Sequence, residues 1–549
     1  MTRQALQSRF APYGAPCRWI AGVVVLAVCV TLCGCSGAYY RRTADRDAYA
    51  VIAQKTAKVP GMRPNFSLTP AAPLAPAPEQ AATAKPVPLA EAITLAEANN
   101  RDFQSQRESL YLQSLDLVYA RHLWTPIFSG TLAAAWQHSN PSDETTATGN
   151  ANFSVSQLLW TGGEATLSLA TNLARFVTGD PRRSASSLLD FAARQHLWRG
   201  AGVAIAMENL TQAERDMIYA LRSFVRFKRQ FDVQVASSYY NVLQQRDVVE
   251  NVRLNMESLT TARGRAEMMA EAGRMADFEV AQARQQELSA KDSYIRAQEN
   301  YQGQLDAFKI QLGLPIDAPL ELDPKELLKL RTEELPKVNH TREEVADIAL
   351  KFRLDLATTA DGVSDADRKV KVARDNLNPG VDLLLNASLG TEDNKALGFT
   401  KENSSYGYGV AVDLPLNQMA QRNAYRASLI TLDRRKRDLD LNRDQVRVQI
   451  NDAWRKLEQA RQSCEIQTES VKLAERRVDN TDMLVQAQRA TMRDLLDSQQ
   501  SLLDSRNQLT GALVAYRITL LQLWRDMEAL EFKDGQFTEE IPRDYKRNN

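Results

Sequence analysis

Few side chains in this sequence have the types and spacing that catalysis or metal binding requires. The histidines are scattered, without metal-ligand spacing or a His-Glu-x-x-His motif: His122, His138, His196 and His340. The sequence also lacks a Gly-Lys-Ser loop that would hold a nucleotide phosphate. We therefore predict that this chain is not an enzyme, binds no metal or cofactor, and does not draw on nucleotide energy.

Three carboxylates are notable for their positions. Asp494 and Asp497 are three residues apart in a helical pattern, so they face the same side of the helix. Glu279 lies 215 positions before Asp494, at the matching place in the first half of the chain. On the residues alone, all three are exposed acids of a solvated first turn, where the helix dipole favours negative charge.

The elements that would position these acids come in two copies. A shift of 253 positions superposes six identical residues at helical spacings: Glu91, Ala96, Asp102, Ala120, Arg121 and Pro126 on Glu344, Ala349, Asp355, Ala373, Arg374 and Pro379. A shift of 215 superposes five more: Gln285, Leu288, Ala297, Tyr301 and Leu305 on Gln500, Leu503, Ala512, Tyr516 and Leu520. We interpret the chain as a tandem duplication, with repeats at 89–315 and 341–530, a connection at 316–340 and a charged tail at 531–549.

Each repeat is predicted to hold one long helix and two short ones. The long helices cover 201–270 and 422–487, and the short ones cover 89–124, 278–312, 342–378 and 492–530. Two short helices stacked end to end have the length of one long helix. The two long helices and the four short ones are therefore expected to form four parallel rods of equal length. The second long helix carries a seven-residue apolar repeat, which requires supercoiled packing: Ile450, Leu457, Cys464, Val471, Val478 and Val485.

After Pro126 and Pro379 the apolar period changes from helical to two, which indicates β-strands. One face is apolar and aromatic and the other small or polar, as in a membrane β-barrel, although a soluble sheet would look similar. The motif at 157–162 recurs at 195–200, and its displacement of 38 equals the extra length of the first repeat. We therefore predict an added hairpin, with four strands at about 127–198 and two at about 380–416.

The N-terminus has the features of an export signal. Basic residues precede an apolar run at 19–32 that is short for a membrane span, so 1–34 is predicted to be a signal peptide. The run ends in Cys33-Gly34-Cys35, which resembles the lipobox of bacterial lipoproteins and implies lipidation at Cys35; an ordinary signal peptide is the alternative. Residues 35–88 would then be a lipidated N-terminus and a Pro/Ala-rich tether.

Four motifs, in order along the chain, resemble the TolC family of outer-membrane efflux and secretion channels. They are Ala-Ile-x-x-Ala-x-x-Asn-Asn at 92–100, Phe-Lys-Ile-Gln-Leu-Gly-Leu-Pro at 308–315, Thr-Met-Arg-Asp-Leu-Leu-Asp-Ser-Gln-Gln at 491–500 and Leu-Gln-Leu-Trp at 521–524. The resemblance implies an α+β membrane protein, in which a trimeric transmembrane β-barrel is continued by a long periplasmic α-helical coiled-coil barrel. The protein would lie in the outer membrane, lipid-anchored, and extend into the periplasm.

The resemblance also implies partners and a mode of action. These are a homotrimer, a periplasmic adaptor (membrane fusion) protein, an inner-membrane transporter of the RND, ABC or MFS class, and outer-membrane lipid. The chain would be the passive exit duct of a tripartite efflux or type I secretion system. Because 68 basic residues balance 68 acidic ones, no nucleic-acid partner is predicted.

Site residues follow from the same resemblance. Asp494 and Asp497 match acidic positions that narrow the periplasmic entrance, and Glu279 is their first-repeat counterpart. Threefold symmetry would turn them into rings that select cations and raise the pKa of the carboxyls by mutual repulsion. The adaptor would dock at the helical tips, which contain Gly273, Arg274, Gln488 and Arg489; the family's usual glycine is replaced by Gln488.

Two alternatives stay open on the sequence. A secreted structural coiled-coil scaffold without a pore would share the helical pattern. In a channel, the extra hairpin either widens a trimeric barrel to eighteen strands or forms an extracellular flap. The sequence does not name the cargo.

Overall fold

The computed structural model describes residues 37–62, 66–68, 86–140, 144–176, 183–533 and 535–539. The predicted signal peptide and Cys35 lie outside these residues, as do 63–65 and 69–85 of the predicted tether. The first part of the chain forms the following elements: α1 (Gly37–Thr56), α2 (Leu89–Asn99), α3 (Arg101–His122), β1 (Ile127–Ser139), β2 (Glu144–Leu158), β3 (Glu164–Phe176), β4 (Arg183–His196), α4 (Val203–Ala206), α5 (Glu208–Glu271) and α6 (Asp277–Leu312).

The second part repeats this order with one hairpin fewer. Its elements are α7 (Lys325–Thr332), α8 (Arg342–Phe352), α9 (Leu354–Asp375), β5 (Gly380–Thr391), β6 (Phe399–Asp413), α10 (Met419–Gln486), α11 (Met492–Asp526), β7 (Leu530–Lys533) and β8 (Gln536–Glu539). The fold agrees with the predicted combination of a long helical body and one sheet. None of the described helices combines the length and the apolar character needed to cross a membrane.

The two predicted helices at 89–124 and 342–378 are each broken into two. The breaks fall at Asn100 and Arg353, which are equivalent under the 253-residue shift. Asn100 accepts a hydrogen bond from the backbone N–H of Phe103 at 2.9 Å and donates one to the carbonyl of Gln311 at 2.8 Å. An N-cap residue of this kind starts a new helix and ends the preceding one. The Asn-Asn motif thus joins the start of the repeat to its end.

The helices lie side by side as rods. The long helices α5 and α10 contain 64 and 68 residues and so extend about 100 Å. In the heptad of α10, Ile450, Leu457, Cys464 and Val485 are buried, which confirms that these positions form a packing seam. Burial raises the pKa of Cys464 to about 11, so this thiol is a packing group rather than a nucleophile.

The strands form one antiparallel sheet in the order β1-β2-β3-β4-β5-β6. The ladder between β4 and β5 joins the two repeats, with Phe191 opposite Ala387. One face of all six strands is apolar, including Phe128, Leu132, Trp136, Phe153, Val155, Leu167, Leu169, Leu189, Phe191, Leu383, Leu385, Tyr406, Tyr408, Val410 and Val412. The other face carries mainly hydroxyl, amide and small side chains; Ser129 pairs with Ser154, and Ser388 with Ser405, each at 2.7 Å.

Helix α1 was not among the predicted elements, although it lies within the range 35–88. It runs parallel to α3, because Tyr111 donates a hydrogen bond to Asp45 at 2.6 Å and Arg121 donates one to Gln54 at 2.9 Å. Its apolar side, which includes Val51 and Ile52, is part of the main hydrophobic core.

Candidate functional site: the two helical tips

The first tip joins the end of α5 to the start of α6. The N–H of Gly273 donates to the carbonyl of Ala270 at 2.8 Å, and the N–H of Arg274 donates to that of Met269 at 2.8 Å. This return of the chain requires a left-handed residue, and Gly273 has φ +72°. Ala276 precedes α6 and has no side chain to cap the helix.

The second tip repeats this geometry with different residues. The N–H of Gln488 donates to the carbonyl of Val485 at 3.0 Å, and the N–H of Arg489 donates to that of Leu484 at 2.8 Å. Gln488 has φ +61°, a conformation that costs a residue with a Cβ more than it costs glycine. The presence of glutamine where the first tip has glycine therefore leaves the turn unchanged and places strain at Gln488.

A capping box opens the helix that follows the second tip. Thr491 accepts a hydrogen bond from the N–H of Asp494 at 3.3 Å, and Asp494 accepts one from the N–H of Thr491 at 3.0 Å. The hydroxyl of Thr491 also donates to Asp494 at 2.7 Å. These bonds hold the pKa of Asp494 below its usual value within the single chain.

The other two predicted gate acids have different surroundings. The side chain of Asp497 is 65% exposed, and its described charged neighbour is Arg493, at 3.9 Å. Glu279 is partly exposed in the first turn of α6. The carboxylate of Asp494 is thus engaged in the cap of its own helix, whereas that of Asp497 is largely exposed to solvent and Glu279 is partly exposed.

The two tips share one small core. It is formed by buried residues from all four adjoining helices, which are Leu259, Ala262, Ala266, Ala283, Ala290, Val485, Met492, Leu495 and Leu496. Arg265 of α5 forms an ion pair with Asp482 of α10 at 2.7 Å. The side-chain amide of Gln488 lies 3.5 Å from the carbonyl of Arg274 and so links the two turns.

Large apolar side chains are exposed at these tips, and no pattern in the sequence indicated their exposure. Met268, Phe278 and Met483 are 64%, 71% and 59% exposed. A patch of thioether and aromatic side chains at the end of a polar rod is typical of a surface that binds another protein. The polar tip residues Gly273, Arg274, Gln488 and Arg489 are exposed as well.

The capping box was also missed, although its signature was present. Thr491-x-x-Asp494 before an apolar run is a recognised helix-start pattern. The pair of Arg265 with Asp482 had no such signal, because its members are 217 residues apart. Among the described residues, no group of three or more histidine, cysteine or acidic side chains is arranged to hold a metal ion.

Comparison with known proteins agrees with this architecture. Residues 345–525, most of the second repeat, match the family model described as outer membrane efflux protein. Among solved structures, the fold is similar to that of CusC, with 13% identity and a TM-score of 0.60 over 80% of this chain and 91% of that one.

Two further channels are similar in fold. The Campylobacter jejuni CmeC outer membrane channel has 13% identity and a TM-score of 0.59 over 84% of this chain and 88% of its own. The Vibrio cholerae outer membrane protein VceC has 15% identity and a TM-score of 0.56 over 79% of this chain and 94% of its own. No functionally curated protein matches the sequence.

Proposed function

We propose that the chain is the passive exit duct of a tripartite efflux or type I secretion system, because residues 345–525 match the outer membrane efflux protein family. That match supports an outer-membrane efflux channel component. The observation that supports a duct most strongly is the sheet, whose apolar face is exposed on one side while the opposite face is polar. That division suits a wall between lipid and water.

The sheet also supports assembly of several copies. In the described part of the chain, β1 and β6 each pair on one side only, so each leaves a row of backbone N–H and C=O groups without a strand beside it. Such edges cost free energy in a membrane unless the sheet closes. Because β1 and β6 run in opposite directions, β6 of one copy can pair antiparallel with β1 of the next. We propose closure by three copies, as in the TolC family.

Within this duct, we propose that Asp497 supplies the charge of the periplasmic gate. Its carboxylate is free of the cap that engages Asp494 and lies one turn into α11. Threefold symmetry would place three such carboxylates around the entrance, where they attract cations. Asp494 then acts chiefly by fixing the start of the helix, and Glu279 adds a second, outer set of charges.

The exposed tips are the proposed docking surface for a periplasmic adaptor. Met268, Phe278 and Met483 offer apolar area, and Arg274 and Arg489 offer hydrogen-bond donors beside it. An inner-membrane transporter of the RND, ABC or MFS class would supply the energy through that adaptor. Lipidation of Cys35 would add an anchor in the outer membrane.

Planar-bilayer conductance of the purified protein tests the duct. We expect a narrow, cation-selective pore, and a soluble assembly that gives no conductance would instead support the structural scaffold. Replacing Asp497 by Asn should reduce cation preference, measured as the reversal potential in a salt gradient, and leave the unfolding temperature unchanged.

The matched variant Asp494→Asn separates the gate from the cap. It should lower the stability of the tip and change the reversal potential less than Asp497→Asn does. Equal effects of the two variants on selectivity would contradict the assignment of the gate to Asp497.

A further inference from the structure

The hairpin formed by β3 and β4 is a copy made within the sheet. Gln157-Leu158-Leu159-Trp160 and Gly162 at the end of β2 recur as Gln195-His196-Leu197-Trp198 and Gly200 at the end of β4. The same displacement of 38 also superposes Phe153 on Phe191 and Ala147 on Ala185, within the strands themselves. The likeness therefore covers a whole strand and its turn.

The hydrogen-bonded pairing is copied as well. Gln157 lies opposite Ala165 in the β2–β3 ladder, and Gln195 lies opposite Leu383 in the β4–β5 ladder. Just beyond the end of β2, the N–H of Leu159 donates to the carbonyl of Gly163 at 2.7 Å. Just beyond the end of β4, the N–H of Leu197 donates to the carbonyl of Val381 in β5 at the same distance. Strand β2 thus meets β3 in the register in which β4 meets β5.

The copied hairpin also continues both faces of the sheet. Leu167 and Leu169 of β3 lie opposite Phe191 and Leu189, within the apolar face. On the other face, Thr166, Ser168 and Asn172 continue the polar side chains of the neighbouring strands. The ladder runs along all of β3, from Glu164 to Arg175, so the hairpin is part of the sheet over its full height.

We propose that β3 and β4 are an inserted section of the pore wall that widens the exit for bulky, hydrated cargo. This rests on the proposed function, because it requires the sheet to close in the membrane. Barrel diameter grows roughly in proportion to strand number, so six strands from each subunit make an exit about 1.5 times as wide as four would. Three copies give eighteen strands. The narrowest part of the duct then lies in the helices rather than in the sheet.

The lining that the hairpin adds points to polar cargo. Its inward positions are mostly hydroxyl, amide and small side chains. The charged residues at these positions are Glu164, which lies opposite Arg194, and Asp190, which lies opposite Ser168. A wall of this kind holds water.

Reaction of single cysteines with a charged, water-soluble thiol reagent tests the position of the hairpin. In lipid vesicles, Ser168→Cys should react and Leu169→Cys should not, with the unsubstituted chain as background; Cys464 is buried. The matched pair Thr131→Cys and Leu132→Cys in β1 should show the same contrast. Reaction at Leu169→Cys as fast as at Ser168→Cys would place the hairpin in water and overturn the proposal.

The β1 pair keeps this failure distinct from failure of the proposed function. If Leu132→Cys also reacts freely, the sheet as a whole is not in the membrane and the duct itself is wrong. If only the contrast between Ser168→Cys and Leu169→Cys is lost, the proposed duct is retained and the proposal that the hairpin widens its wall is refuted.

A deletion tests the width. Removing residues 161–198 joins Trp160 to Arg199, so β2 takes the place of β4 beside β5. Because the deletion removes 38 residues, an even number, the apolar and polar side chains of β2 stay on their original faces of the sheet. The size of polyethylene glycol that enters from the outer side, measured by its effect on single-channel current, should fall in the deletion variant. An unchanged size limit in a folded, inserted variant would overturn the widening.

Discussion

The two helical tips have the same backbone turn but form it with different residues. Both turns make the same pair of backbone hydrogen bonds, and each has one residue in the left-handed region, Gly273 in the first and Gln488 in the second. The first tip uses glycine and leaves the next helix without a side-chain cap, whereas the second uses a strained glutamine and a full capping box. The two tips therefore share one backbone shape, but the first is stabilised by its glycine turn and the second by its helix cap.

The largest effect is expected from removing the cap at the second tip. Thr491→Ala deletes hydrogen bonds to the first turn of α11 and should cost about 1–2 kcal/mol. Hydrogen exchange at the tip amides should then accelerate. Thr341→Ala is the matched control, because Thr341 forms the same capping box with Glu344 in another part of the chain. If both variants accelerate exchange at the tip equally, the local role of Thr491 is refuted.

The left-handed residues should respond in opposite directions. An added Cβ at Gly273 meets no atom within 4 Å, so Gly273→Ala tests the backbone alone and should cost about 1 kcal/mol. Gln488→Gly relieves the strain and should stabilise the tip by less, because glycine also gains freedom in the unfolded chain. Denaturant unfolding measures both variants, and a loss of stability in Gln488→Gly would show that its amide link to Arg274 outweighs the strain.

The first tip can be given the cap that it lacks. Ala276 has the extended backbone of an N-cap residue, and Glu279 stands three residues later. Ala276→Thr should therefore complete a capping box and stabilise the first tip by about 0.5–1 kcal/mol. Slower hydrogen exchange at the start of α6 is the expected readout. If Ala276→Thr/Glu279→Ala is as stable as Ala276→Thr, then Glu279 takes no part in the cap.

The smallest effect is a pH dependence of the second tip. Hydrogen bonds from Thr491 lower the pKa of Asp494, so its contribution to stability is present above the unfolded value of about 4 and is lost as pH falls through the folded pKa. The stability difference between the wild type and Thr491→Ala should thus shrink below about pH 4. A difference that stays constant down to pH 2 would mean that Asp494 does not supply the cap's charge.

Much of this arrangement could be predicted from the sequence, because the two repeats could be compared. The prolines at 126 and 379 marked the change from helix to strand, and the displacement of 38 indicated two extra strands. The breaks at Asn100 and Arg353 were missed, since helical periodicity continues through them. Whether Asp494 or Asp497 carries free charge depends on hydrogen bonds that spacing alone does not specify.

Helix α1 sets a limit on how an anchor at Cys35 can work. Asp45 lies beside Tyr111, so the parallel course of α1 places Gly37 about nineteen residues before the end of α3, or about 30 Å from the sheet. Two residues of chain add at most about 7 Å. While α1 keeps its contacts with α3, Cys35 therefore stays well short of the membrane that holds the strands, and an acyl group on it could not insert fully. Full insertion of the lipid would therefore require α1 to detach from the helical body, which would expose Val51 and Ile52. In a lipidated chain, the first helix would then be an unpacked segment with an exposed apolar side.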